Sequence, residues 1–142
     1  MTSDLWARAH GATTHFPIAL ALGSAAFDAA GLALARHPAG AGLRSAGRWT
    51  MLGAALGAVP AAASGLLMSR GVVMGHDLLR LHHLFIWPSF GLLVSLGTWR
   101  ALAGDEPPRR VFARYLILAA AAAAAISAGA YFGGEMMLSG AP

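Results

Sequence analysis

Cysteine is missing from this chain, and with it go disulfides, thiolate nucleophiles and any iron–sulfur or c-type haem site held by cysteine. Lysine is missing as well, and charge of either sign is scarce, at 11% of residues. A soluble domain of 142 residues needs far more polar surface than that to stay in solution. No glycine-rich phosphate loop occurs, no His-Glu-x-x-His, and no Ser/His/Asp set at a recognisable spacing. The usual phosphate-binding, zinc-protease and hydrolase chemistries therefore have no residues to work with.

What the chain does have is apolar length. Hydrophobic residues make up 57% of it, and the mean hydropathy is +0.60. Four runs stand out: Phe16 to Ala35, Trp49 to Met68, Leu81 to about Ala101, and Val111 to about Met137. Each is close to the roughly 20 residues a helix needs to cross a hydrocarbon core of about 30 Å. Between them lie stop signals: His37-Pro38-Ala39-Gly40, Ser69-Arg70-Gly71, and Gly104-Asp105-Glu106-Pro107-Pro108. Spans of this kind are helical, because a helix satisfies its own backbone where water is absent. The expectation is one all-α domain over residues 1–142, an integral membrane four-helix bundle in contact with lipid. The first run is too long for the core of a signal peptide. Asp4, His10 and His15 flank it in place of a short basic region, so it is expected to be retained.

All ten basic residues are arginines. In a soluble chain that balance would point to nucleic acid; lying between apolar runs, it points to topology, and no nucleic-acid partner is expected. Arg36, Arg44, Arg48, Arg100, Arg109, Arg110 and Arg114 fall on one side of the predicted spans, against Arg8, Arg70 and Arg80 on the other. The positive-inside rule then puts both termini and the central loop outside the cytoplasm. Gly53 and Gly57 form a G-x-x-x-G pair, and the fourth run holds alanine from Ala119 to Ala125. Small residues of this kind let helix backbones approach where lipid offers no drive to associate. Pro60 and Pro88 are expected to bend or loosen their helices.

Five of the six histidines lie towards one side of this topology. His10 and His15 precede or open the first span, His76, His82 and His83 lead into the third, and only His37 falls on the other side. With Thr13 or Thr14 capping the first helix, His15 sits in its first turn. With the third helix starting near Gly75, His76 and His83 share a face and His82 points about 100° away. A histidine of helix one facing a histidine of helix three is the arrangement that holds a b-type haem by two axial imidazoles. His15 and His83 are the expected ligands of the haem iron, with His10, His76 and His82 as substitutes or a second site. The same set suits a metal ion, and histidines near a membrane surface also serve purely structural roles. Asp28, inside the first span, needs a partner, for which Arg48 or Arg114 is the expected source. Glu135 stands near the histidines, either as an acceptor orienting an imidazole or in water. Trp6, Trp49, Trp87 and Trp99 read as interfacial anchors.

His10-Gly-Ala-Thr-Thr-His15-Phe16-Pro17-Ile18, followed by Asp28, resembles the opening of a bacterial family of four-helix predicted membrane proteins of unknown function, which begins His-Pro-x-x-x-His-Phe-Pro-Ile. The likeness continues through Gly57 to Gly65, the His-led third helix, and Tyr131-Phe132-Gly133-Gly134-Glu135. Gly11 replaces the family's proline, and Met136-Met137-Leu138-Ser139-Gly140 replaces its usual ending. The resemblance implies a multi-pass protein of the bacterial cytoplasmic (inner) membrane. Some relatives are joined to Rieske or cytochrome c domains, which implies a redox setting. Three functions follow as expectations. The first is a haem b subunit passing electrons between an extracytoplasmic redox partner and quinone or another carrier. The second is a cofactor-free anchor or assembly subunit of a larger complex. The third is a metal-ion-binding membrane protein.

Overall fold

The computed structural model describes residues 2–139 of the chain. Four helices account for nearly all of them: α1 (Thr2–Ala33), α2 (Ala39–Met68), α3 (Asp77–Ala103) and α4 (Arg109–Ser139). All four are long and apolar enough to cross a membrane. Their outer faces are as greasy as their inner ones. Leu56, Ile117 and Leu102 are 73%, 71% and 84% exposed, which in water would be a liability and in lipid is the solvated state.

The helices run up, down, up and down, joined by short turns. Contacts pair α1 with α2, α2 with α3, α3 with α4, and α4 with α1, so the bundle closes as a ring and α1 and α3 face each other diagonally. Ala21, Met51, Ala54, Ala58, Leu93, Leu96, Phe112, Ala119, Ala122 and Ile126 form the core between them. Its alanines hold the backbones close. The G-x-x-x-G pair faces α1: a Cβ at Gly57 would lie 3.5 Å from the Pro17 ring, and one at Gly53 would lie 3.0 Å from Leu20.

All four helices begin earlier than their apolar runs, α3 at Asp77. α1 starts at Thr2, not at a Thr13 or Thr14 cap, and both threonines sit mid-helix. The Thr13 hydroxyl donates back to the Ala9 carbonyl at 2.9 Å. α2 starts at Ala39, with the His37 Nδ1 accepting from the Ala39 N–H at 3.2 Å. α4 starts at Arg109. Apolar content marks where lipid begins, whereas the helical hydrogen-bond ladder continues into the polar boundary until a turn stops it. Helix continues through Pro17, Pro60 and Pro88. α2 ends at the expected break: Arg70 and Gly71 both take positive φ (56° and 84°), and the Gly71 N–H closes on the Leu66 carbonyl at 2.7 Å.

Candidate functional site: a histidine cavity at one end of the bundle

Two polar constellations interrupt the apolar core, one towards each end. At the arginine-rich end, Asp28 and Arg100 are both fully buried and their side chains meet at 3.1 Å. The second carboxylate oxygen accepts from the Tyr115 hydroxyl at 2.8 Å. Arg100 also donates to the carbonyls of Arg44 (2.6 Å) and Gly104 (3.1 Å), and its guanidinium lies 5.3 Å from the ring centres of both Phe112 and Tyr115. A buried pair is tolerable only when its remaining lone pairs and protons are also bonded, and here most are. Gly47 is part of the device: the Asp28 carboxylate occupies the space where a Cβ would stand.

Arg100, rather than Arg48 or Arg114, is therefore the partner of Asp28. Arg48 reaches Asp105 at 3.5 Å and the Ala101 carbonyl at 3.3 Å, and Arg114 is exposed on α4. Arg100 escapes notice in the sequence because it looks like the first charge of a loop. α3 in fact continues to Ala103 and carries it inside.

At the other end, all four helices border a cavity of about 520 Å³, within the range of about 300–1,000 Å³ usual for small-molecule sites. Its walls are mostly apolar, and His10, His15, His82 and His83 all line it. His10 and His82 are each held through Nδ1 by a carbonyl of the neighbouring helix, and the His10 Nδ1 also lies 3.3 Å from the Ser64 hydroxyl. The His10 Nδ1 lies 3.0 Å from the Ala61 carbonyl oxygen on α2, and the His82 Nδ1 lies 2.8 Å from the Gly129 carbonyl oxygen on α4. A carbonyl only accepts, so each Nδ1 carries the proton, and in the neutral ring the lone pair is on Nε2. Neither Nε2 has a protein partner among the described residues, and neither is among the buried unpaired atoms. Glycines make room for the rings: a Cβ at Gly65 would come within 2.9 Å of the His10 ring, and one at Gly133 within 3.1 Å of the His82 ring. Tethering one imidazole nitrogen to a carbonyl so as to aim the other is how proteins orient metal-ligating histidines.

The other candidates are placed differently. His83 is buried, with its ring centre 5.9 Å from that of Trp87 and its Nδ1 unpaired. His15 is exposed at the cavity rim and makes no hydrogen bond through its side chain among the described residues. His76 caps α3 and lines a separate depression with Asp77 and Met136. The expected sharing of a face by His76 and His83, with His82 turned away, is thus corrected. A wide cavity spans the 100° between adjacent residues, and His82 and His83 both border it. Glu135 neither lines the cavity nor hydrogen-bonds an imidazole among the described residues. Trp87 and Trp99 are more than interfacial anchors. Trp87 lines the cavity and donates to the Val73 carbonyl at 2.7 Å, and Trp99 stacks on Tyr115 at 4.8 Å.

The family described as "Predicted membrane protein (DUF2231)" matches residues 8–141, and the chain belongs to it. No curated protein and no solved structure shows significant similarity to the chain.

Proposed function

We propose that this member of the family is a small membrane subunit of a redox complex. In this reading it holds b-type haem in the histidine cavity and passes electrons between an extracytoplasmic partner and quinone or another membrane carrier. One observation carries the proposal: imidazoles on α1 and α3 border the same apolar cavity, and two of them have Nδ1 tethered and Nε2 free. Two imidazoles are enough for a b-type haem. A tetrahedral zinc-type site needs four donors, and among the described residues no three His, Cys, Asp or Glu side chains are placed to share an ion. The residues present therefore fit a flat, apolar, two-ligand cofactor better than a bare cation.

Haem, when bound, supplies one-electron chemistry; the protein's part is to bind, orient and insulate. Cavity imidazoles would hold the iron. Trp87, Phe90, Leu93 and Ile126 keep water from the interior, which sets the local dielectric and hence the potential. In the membrane, Arg36, Arg44, Arg48, Arg109, Arg110 and Arg114 stand at the end opposite the cavity histidines. By the positive-inside rule that end is cytoplasmic, and the cavity opens towards the extracytoplasmic side of the bacterial inner membrane.

The test is a reduced-minus-oxidised visible spectrum of the detergent-purified protein from haem-sufficient cells, with iron assayed on the same sample. The proposal expects b-type bands with iron present. A flat spectrum without iron refutes it and leaves a cofactor-free anchor subunit as the better account.

A further inference from the structure

The bundle is built from two hairpins whose buried positions largely match. Four of the five buried positions of α1 (Pro17, Ala21, Ser24 and Asp28, but not Gly31) recur in α3, 72 residues later, as Ser89, Leu93, Leu96 and Arg100. Five of the seven buried positions of α2 (Gly47, Met51, Ala54, Ala58 and Ala61) recur in α4, 68 residues later, as Tyr115, Ala119, Ala122, Ile126 and Gly129. Any helical bundle repeats buried positions at three- and four-residue steps, so burial alone does not fix which turn matches which. The imidazole tethers do fix it. His10 bonds Ala61, His82 bonds Gly129, and the same two offsets relate both bonds. Gly65 and Gly133, which accommodate the two rings, obey the offset as well, and so do Met68 and Met136, both on the cavity wall. These shared offsets are what a pseudo-two-fold axis running along the bundle, relating the α1–α2 hairpin to the α3–α4 hairpin, would give.

Asp28 and Arg100 locate that axis. They are equivalent positions on diagonal helices, yet they touch at 3.1 Å. Two related groups that meet must lie on either side of the axis, so α1 at Asp28 and α3 at Arg100 both face it. His10 lies 18 residues before Asp28, and His82 lies 18 before Arg100. Eighteen residues are five whole helical turns, a rise of about 27 Å. Both histidines are therefore on the axis-facing side of their helices, related to one another by the same two-fold, with Nε2 free.

We infer that His10 and His82 are the two axial ligands of a single haem on the pseudo-two-fold axis, in preference to the His15 and His83 pair. The inference rests on the haem reading above. Position 87 of α3, the equivalent of His15, is Trp87, and position 11 of α1, the equivalent of His83, is Gly11; neither of those histidines has a symmetry mate.

The full-length protein, expressed with ample haem and purified in detergent, is compared with His10→Ala, His82→Ala, His15→Ala and His83→Ala by electron paramagnetic resonance and visible spectroscopy. Wild type is expected to be six-coordinate and low-spin. His10→Ala and His82→Ala each lose the low-spin signal, and added imidazole restores it, which separates a lost ligand from a lost fold. His15→Ala and His83→Ala keep it. Retention of the low-spin signal in His10→Ala or His82→Ala, with haem bound, overturns this ligand pair and leaves the haem reading standing. Wild type that binds no haem overturns both.

Discussion

Asp28 is the most expensive single residue in the chain, because an ionised carboxylate inside an apolar bundle must be compensated on every side. Compensation comes from Arg100, Tyr115 and the space left by Gly47. Removing one partner strands the other, and for a buried pair that costs about 3–5 kcal/mol. Asp28→Ala and Arg100→Ala are each expected to lower detergent unfolding stability by that order, while the double variant Asp28→Leu with Arg100→Met recovers most of it. Additive losses in the double variant would show that the two side chains do not act as a pair. The sequence makes the need for a partner plain, because Asp28 lies inside an apolar run. It does not give the partner's identity, because Arg100 reads as a loop residue until α3 is seen to continue past it. The histidines divide in the same way. Their gathering towards one end is legible from spacing and helix count. Which of them are tethered depends on the carbonyls of Ala61 and Gly129, which no periodicity reports. The pairs Arg44–Glu106 and Arg48–Asp105 matter less, since solvent reaches their carboxylates and screens them.

At the scale of the helices, glycine placement decides how close neighbours come. Gly65 on α2 and Gly133 on α4 lie under the rings of His10 and His82 and leave them room to turn their Nδ1 towards the backbone. A methyl group at either position pushes on the imidazole without altering any charge. Gly65→Ala and Gly133→Ala are expected to leave the four-helix fold intact, read as unchanged circular dichroism, and to weaken haem binding about 10–100-fold, the usual effect of disturbing a ligand's orienting shell. Unchanged affinity in both would mean that the tethers do not position the ligands. The number and order of helices follow from the apolar runs and the Pro/Gly breaks. Their lengths do not, since α1 continues back to Thr2 and α2 to Ala39 through segments too polar to count as membrane.

For the molecule as a whole, the pseudo-two-fold is the feature hardest to see in the sequence. Equivalent positions carry different side chains: Asp28 against Arg100, Pro17 against Ser89, Gly47 against Tyr115. The divergence is itself coherent. A strictly repeated chain would set two carboxylates or two guanidiniums against each other at the axis, whereas the pair observed there is complementary. At the opposite end the tethered histidines and the glycines beneath them remain alike, His10 with His82 and Gly65 with Gly133, as one ligand shared across the axis would require. A ligand pair on the axis therefore fixes a stoichiometry as well as a site. Haem per polypeptide, measured by pyridine haemochrome on protein quantified by amino-acid analysis, tests it most directly. One b-type haem is expected for each chain. No haem contradicts the function, and two haems per chain contradict a single site on the axis.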